Sequence, residues 1–271
     1  MKLPVVLAAV SMIALAPASL ARTAEPRAPT AQWVVDFAEQ QCVASRAYGT
    51  DDKPLILTLK PSPVGDVMQI TLFLKLYWSQ PALDAPISIG IDGATPMVAG
   101  LISFATTQRN IRALRINLPT DRFAPMRQAK SVSFKARGIV DETFVLTQMP
   151  ALMKEMDRCL ADLQHHWNIG ESDKLKTRAQ PKKNLAEYFS SDDYPRASIR
   201  DREEGTVAFA LLIDETGKLA DCTVTATSNA PVLDAQSCAI LMERAHFEPA
   251  VDVNGKPAKD ALCHRTKWIL R

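Results

Sequence analysis

The sequence predicts an α+β protein of two domains: a mainly antiparallel β domain ending in a helix, then a small sheet built in the order helix, strand, strand, helix, strand. Three observations carry this reading. Apolar residues alternate with period two through much of residues 33–135, they recur at three- and four-residue steps from Met149 to Trp167, and a sharper strand and helix pattern begins near Tyr188.

In chain order, Trp33, Val35 and Phe37 alternate, and Leu55, Leu57 and Leu59 form a second strand. Met68, Ile70, Leu72, Leu74, Leu76 and Trp78 make the longest alternating run. Ile87, Ile89 and Ile91 close at the Asp92-Gly93 turn signal, and Leu114, Ile116 and Leu118 stop at Pro119; Val132 with Phe134, and Phe144 with Leu146, supply two more. Five to eight short strands without long helices between them indicate an antiparallel sandwich or barrel. A helix follows, with Thr147 as N-cap and Pro150 in the first turn; Met149, Leu152, Met156, Cys159, Leu160, Leu163 and Trp167 mark its inner face.

Residues 169–184 break every periodicity and mix charges with Gly170 and Pro181, the composition of a solvated linker. From Val207 to Ile213 the alternation returns, reaches Asp214-Glu215-Thr216-Gly217, and comes back along Leu219 to Thr227 as a hairpin. Leu233, Ser237, Cys238, Leu241 and Ala245 share one helical face, and a last strand after Gly255-Lys256-Pro257 puts Leu262, Trp268 and Leu270 on one side. The expected domains are 22–168 and 185–271.

Residues 1–21 read as a secretory signal: Lys2, an apolar run from Leu3 to about Leu15, then the small-residue triplets ending at Ala18 and Ala21. The run is short of the roughly 20 residues a membrane span needs, so no anchor is expected after cleavage and the mature chain is expected in the periplasm. Export invites disulfides among the five cysteines. Spacing favours Cys222 with Cys238 inside one compact segment, and Cys42 with Cys159, which bracket the first domain; Cys263 is left free.

A formal charge of +2 on 271 residues gives no electrostatic footprint for nucleic acid. Neither GxGxxG nor GxxxxGK[ST] occurs, and the four histidines make no zinc pattern with cysteines, so no cofactor or metal is expected. No GxSxG occurs. His165-His166 sits at a helix C-terminus, Cys263 and His264 are strand neighbours facing opposite sides, and Asp51-Asp52 and Asp192-Asp193 read as turn or capping residues. No catalytic residue is assigned.

Tyr194-Pro195, Gly205-Thr206-Val207, Ile213-Asp214-x-x-Gly217, Leu233-Asp234, Phe247-x-Pro249-Ala250 and Gly255-Lys256-Pro257 occur in order at sensible spacing. With these motifs, roughly residues 188–271 resemble the C-terminal domain of the TonB family. Where many members have a Ser-Ser-Gly turn, this chain has Thr227-Ser228-Asn229, and Asn tolerates positive φ. The resemblance implies a small sheet with helices on one face and its last strand at an open edge. There an extended peptide could add by β-augmentation, along Cys263, Arg265, Lys267 and Ile269. It also implies an envelope protein or extended peptide as partner, an outer-membrane receptor being one candidate, and a non-enzymatic role linked to outer-membrane transport. TonB proteins keep an N-terminal membrane helix and a long Pro-rich spacer that this sequence lacks, so coupling to an inner-membrane motor is not expected. The Trp33 hairpin followed by Cys42 resembles small secreted disulfide-bonded β-domains of the invasion-associated-locus-B-like kind. The rival functional reading makes the first domain a ligand-binding or hydrolytic module docked by the second.

Overall fold

A computed structural model describes residues 25–76 and 82–270; the expected signal at 1–21 and Trp78 lie outside the described residues. The first half builds nine antiparallel strands: β1 (Val34–Phe37), β2 (Cys42–Ala47), β3 (Leu55–Pro61), β4 (Val67–Lys75), β5 (Ala82–Ile91), β6 (Met97–Ala105), β7 (Ile111–Pro119), β8 (Ser131–Ala136) and β9 (Val140–Val145). A short helix, α1 (Thr120–Phe123), follows β7, and α2 (Met149–His166) follows β9. The strands form one sheet in the order β1-β2-β3-β4-β7-β6-β5-β8-β9. Residues 27–30 run from β9 to β2, because Arg27 N–H donates to Thr143 O at 2.7 Å and Thr30 N–H donates to Ala47 O at 2.9 Å.

Register explains the core. Leu57, Leu72 and Leu114 lie abreast on neighbouring strands, as do Leu59, Ile70 and Ile116, and all are fully buried on the face that also packs α2. Lys60, Gln69, Thr71, Arg115 and Asn117 consequently alternate onto the opposite face. Met149, Leu152, Met153, Met156, Cys159 and Leu163 bury one face of α2, and Trp167 just beyond it donates its indole N–H to Glu39 O. The N-cap of this helix is Gln148, at a φ of 65° with no side-chain cap bond, so the expected Thr147 cap is corrected. Thr147 instead offers its carbonyl to the Trp33 indole and to buried Arg46.

The reading of residues 169–184 as a linker is also corrected. They contain β10 (Leu175–Thr177) and β11 (Gln180–Pro181), and Ala179 between them is fully buried. Each of these strands is only two or three residues long, too short to show a period of two. Then come α3 (Arg196–Arg200), β12 (Gly205–Ile213), β13 (Leu219–Ala226), α4 (Pro231–Arg244), β14 (Phe247–Glu248), β15 (Ala250–Asp252), β16 (Pro257–Ala258) and β17 (Asp260–Trp268). β10 pairs with β15 and β11 with β14, while the main sheet has the order β13-β12-β17. The α+β class and the order helix, strand, strand, helix, strand are present, with the short strands added.

Val207, Phe209, Leu211 and Ile213 point into a core shared with Leu233, Leu241, Phe247 and Trp268. The other face of this sheet is not open: Leu212 and Ala261 join the core cluster of the nine-stranded sheet. Gly217 has a φ of +83°, and a Cβ there would stand 2.2 Å from Phe247 O. Gly217→Ala is therefore expected to cost about 2 kcal/mol or more, read as a lowered urea midpoint; an unchanged midpoint would show that the hairpin can slide away from Phe247.

Both disulfides expected from spacing are formed, Cys42–Cys159 with Cα atoms 5.9 Å apart and Cys222–Cys238 at 5.5 Å. The first ties α2 to the foot of the β1–β2 hairpin, and the second ties α4 to β13. Cys263 is free and exposed.

Candidate functional site

β17 pairs with β12 along its whole length, from Asp260 opposite Ile213 to Trp268 opposite Gly205. Among the described residues it has no strand partner on its other side. Which of its main-chain groups face that open side follows from Ala261. Its N–H donates to Asp260 Oδ1 at 2.8 Å, and its carbonyl accepts from Arg178 Nη2 at 2.6 Å, so both point away from β12. Alternation in an antiparallel strand then turns the N–H and C=O of Cys263, Arg265 and Lys267 outward and those of His264 and Thr266 toward β12.

The site residues taken from the sequence divide accordingly. Cys263, Arg265 and Lys267 are exposed and alternate along the open edge, opposite Ala210, Ala208 and Thr206. Ile269 lies just past the strand end with half its surface exposed. His264 stands on the other face, 6.2 Å from the Phe209 ring, so it does not meet Cys263 as a dyad. Burial pushes the Cys263 thiol above its ordinary range; Asp66 adds to that and Arg178 opposes it. A protonated thiol is a weak nucleophile.

Sequence reasoning missed what bounds the edge at each end. At the start of β17, Asp260 is fully buried and accepts from Arg178 Nε and from the Ala179 N–H at 2.8 Å. The hydrogen bond to the Asp260 carboxylate raises the Arg178 guanidinium above the ordinary arginine range, with burial acting against it. Nearby, Asn168 donates to Lys259 O at 2.8 Å. These bonds occupy the edge as far as Ala261. At the other end is a cavity of about 610 Å³ lined by Phe189, Tyr194, Ile199, Trp268 and Ile269 among others. Phe189 and Tyr194 meet the Trp268 ring edge to face at 5.7 and 5.1 Å. Ile199 and Ile269 leave apolar surface there exposed. The signal available in the sequence is the close spacing of Tyr188, Phe189 and Tyr194.

The wall of this cavity is fixed by charge. Asp193 accepts from the Ser190 N–H at 2.7 Å and from Arg244 Nη1 at 2.8 Å, the capping role expected for Asp192-Asp193. Arg244 holds the Asp193 carboxyl down to about 2, helped by Ser190 and opposed by burial. A carboxyl depressed from its ordinary 3.8 stabilises the fold above pH 4, and that contribution is lost as pH falls toward 2. Asp193→Asn is expected to cost about 1–2 kcal/mol at neutral pH, solvent screening at half-exposed Arg244 limiting the value, and to flatten the acid limb of urea stability below pH 4. An identical acid limb in wild type and variant would count against this pairing.

Residues 190–260 match the family described as Gram-negative bacterial TonB protein C-terminal. This part of the chain therefore carries the TonB-family fold, and the residues before it are unassigned. No curated protein and no solved structure matches the chain. The match ends where β17 begins, so the edge strand is located by its pairing with β12. Among the described residues no helix is long and apolar enough to cross a membrane.

Proposed function

We propose that the C-terminal domain recognises an extended segment of an envelope protein in the periplasm, without enzymatic chemistry, by adding it as a strand to β17. The observation that carries this reading is an edge strand with outward main-chain groups from Cys263 to Lys267, occupied by side chains at one end and running into an aromatic cavity at the other. Main-chain pairing would supply affinity, and the cavity would select a bulky apolar side chain. An outer-membrane receptor is the partner that the TonB-family match favours. With α4 on one face of the sheet and the nine-stranded sheet on the other, an edge is the surface this small sheet has left to offer.

Photo-crosslinking in cells tests this with the full chain, placing the photoreactive group at Lys267, at Ile269 or, as a control on the first sheet, at Lys135. Adducts from 267 and 269 that map to one short segment of a single envelope protein are expected. Yields from those positions no higher than from 135 would reject the edge as the docking site.

A further inference from the structure

A second cavity, about 580 Å³, lies between the nine-stranded sheet and the C-terminal domain. Its floor is a row across three adjacent strands: Asp84 on β5 is paired with Ile102 on β6, which is paired with Arg115 on β7. Paired residues share a face, and strand spacing puts the Asp84 and Arg115 Cα atoms about 10 Å apart with Ile102 between them. Val98 and the Cys222–Cys238 disulfide supply further apolar lining. The roof is held close by design of the sequence: a Cβ on Gly100 would stand 2.7 Å from the Pro231 ring at the start of α4. Lys60, 3.4 Å from Asp221, joins the same two layers.

The charges at the two ends of the row are incompletely used. Nε of Arg115 is buried and makes no hydrogen bond, although the guanidinium stacks 4.7 Å from the centre of the Phe104 ring. Nε itself is closed off from solvent, but Arg115 lines the cavity, and a carboxylate is the best complement to a guanidinium. Burial draws the Arg115 guanidinium below the ordinary arginine range, opposed by Asp221. At the other end Glu203, from the C-terminal domain, lines the cavity with Asp84. Burial pushes the Glu203 carboxyl up, Ser198 opposes this, and Asp84 beside it adds to the rise. Two adjacent carboxyl groups of this kind gain most from a cation. The third acid of the lining, Asp234, is engaged by the hydroxyls of Thr227 and Ser228 and the Ser228 N–H.

We propose that this cavity binds a small zwitterion of dipeptide size, its carboxylate on Arg115, its ammonium on Asp84 and Glu203, and its apolar side chain over Ile102. The site is independent of the β17 edge. It gives the unassigned first half of the chain a part in ligand binding, and it needs both halves to be complete.

Calorimetric titration of the protein with Ala-Leu, N-acetyl-Ala-Leu and Ala-Leu amide tests it. Ala-Leu should bind saturably in the millimolar range or tighter, and each blocked derivative about ten-fold or more weakly. In Arg115→Met, Ala-Leu should weaken to the level of the amide and amidation should cost nothing further; in Asp84→Asn the same should hold for acetylation. Ala235→Phe keeps every charge and fills the void from α4, so it should abolish binding, and it decides the matter should Arg115→Met not fold. Absence of saturable heat with Ala-Leu, an undiminished amide penalty in folded Arg115→Met, or unchanged binding by folded Ala235→Phe each overturns the proposal.

Discussion

Replacing Cys42 and Cys159 together by alanine is expected to lower the unfolding free energy by about 3–5 kcal/mol. The bond spans a sequence separation of 117 residues, from the first residue of β2 to the middle of α2, so the unfolded chain loses a long loop's worth of freedom when it is closed. Both cysteines are buried within the first core, and the remaining contacts of α2, through Met149, Leu152, Met156 and Leu163, persist without the bond. The loss therefore falls mainly on the unfolded state. The Cys222–Cys238 bond closes a separation of 16 and should contribute about 3 kcal/mol or less. Urea unfolding followed by tryptophan fluorescence compares the two: the Cys42/Cys159 variant should shift more. A shift worth less than about 1 kcal/mol, or one smaller than that of the Cys222/Cys238 variant, would show that packing of α2 and not chain closure dominates.

Strands were legible in the sequence where one face is apolar and the other polar, whether or not the polar face is covered. β4 alternates from Met68 to Leu74, and β3 and β7 beside it do the same, because one side meets α2 and the other polar surface. β2 and β6 escaped. In β2 the inward positions are Cys42, Ala44 and Arg46, the last buried on Ala31 and Thr147 carbonyls, so hydropathy gives no period. In β6, Leu101, Ile102 and Ser103 are buried in succession because both faces are covered there, and the apolar Leu101 and Ile102 fall on opposite faces, which erases alternation. Missing β6 hid the second cavity entirely, since its floor exists only in the order β7-β6-β5. Turn chemistry fared better: Asn229 takes a φ of 68° and the Asp92-Gly93 pair has both φ values positive, as their residue types suggest. The outward orientation of the β17 main chain could not be read at all, because it depends on Arg178 reaching Ala261 across 83 residues of sequence.

Proline at Arg265 or at Lys267 is expected to abolish partner binding, by ten-fold or more, while leaving the domain folded. The N–H of each points away from β12, so proline removes a donor that only an added strand would use and places its ring where that strand must lie. Each lost main-chain bond is worth about 1 kcal/mol net, and the ring's steric conflict adds to it, which together exceed the 1.4 kcal/mol of a ten-fold change. Proline at His264 or Thr266 attacks the opposite side, breaking the ladder to β12, and should unfold the domain instead. Lys267→Gln changes charge but not main chain and should stay within about two-fold of wild type, because exposed charges contribute little. Circular dichroism separates the two classes, and titration of the crosslinked partner's segment, as a synthetic peptide, reads affinity. The contrast between odd and even positions is the signature of strand addition, since loss of surface charge or general destabilisation has no reason to alternate along β17. Folded Arg265→Pro and Lys267→Pro variants that bind the peptide as tightly as wild type would leave the TonB-like domain with the family's fold but a different docking surface.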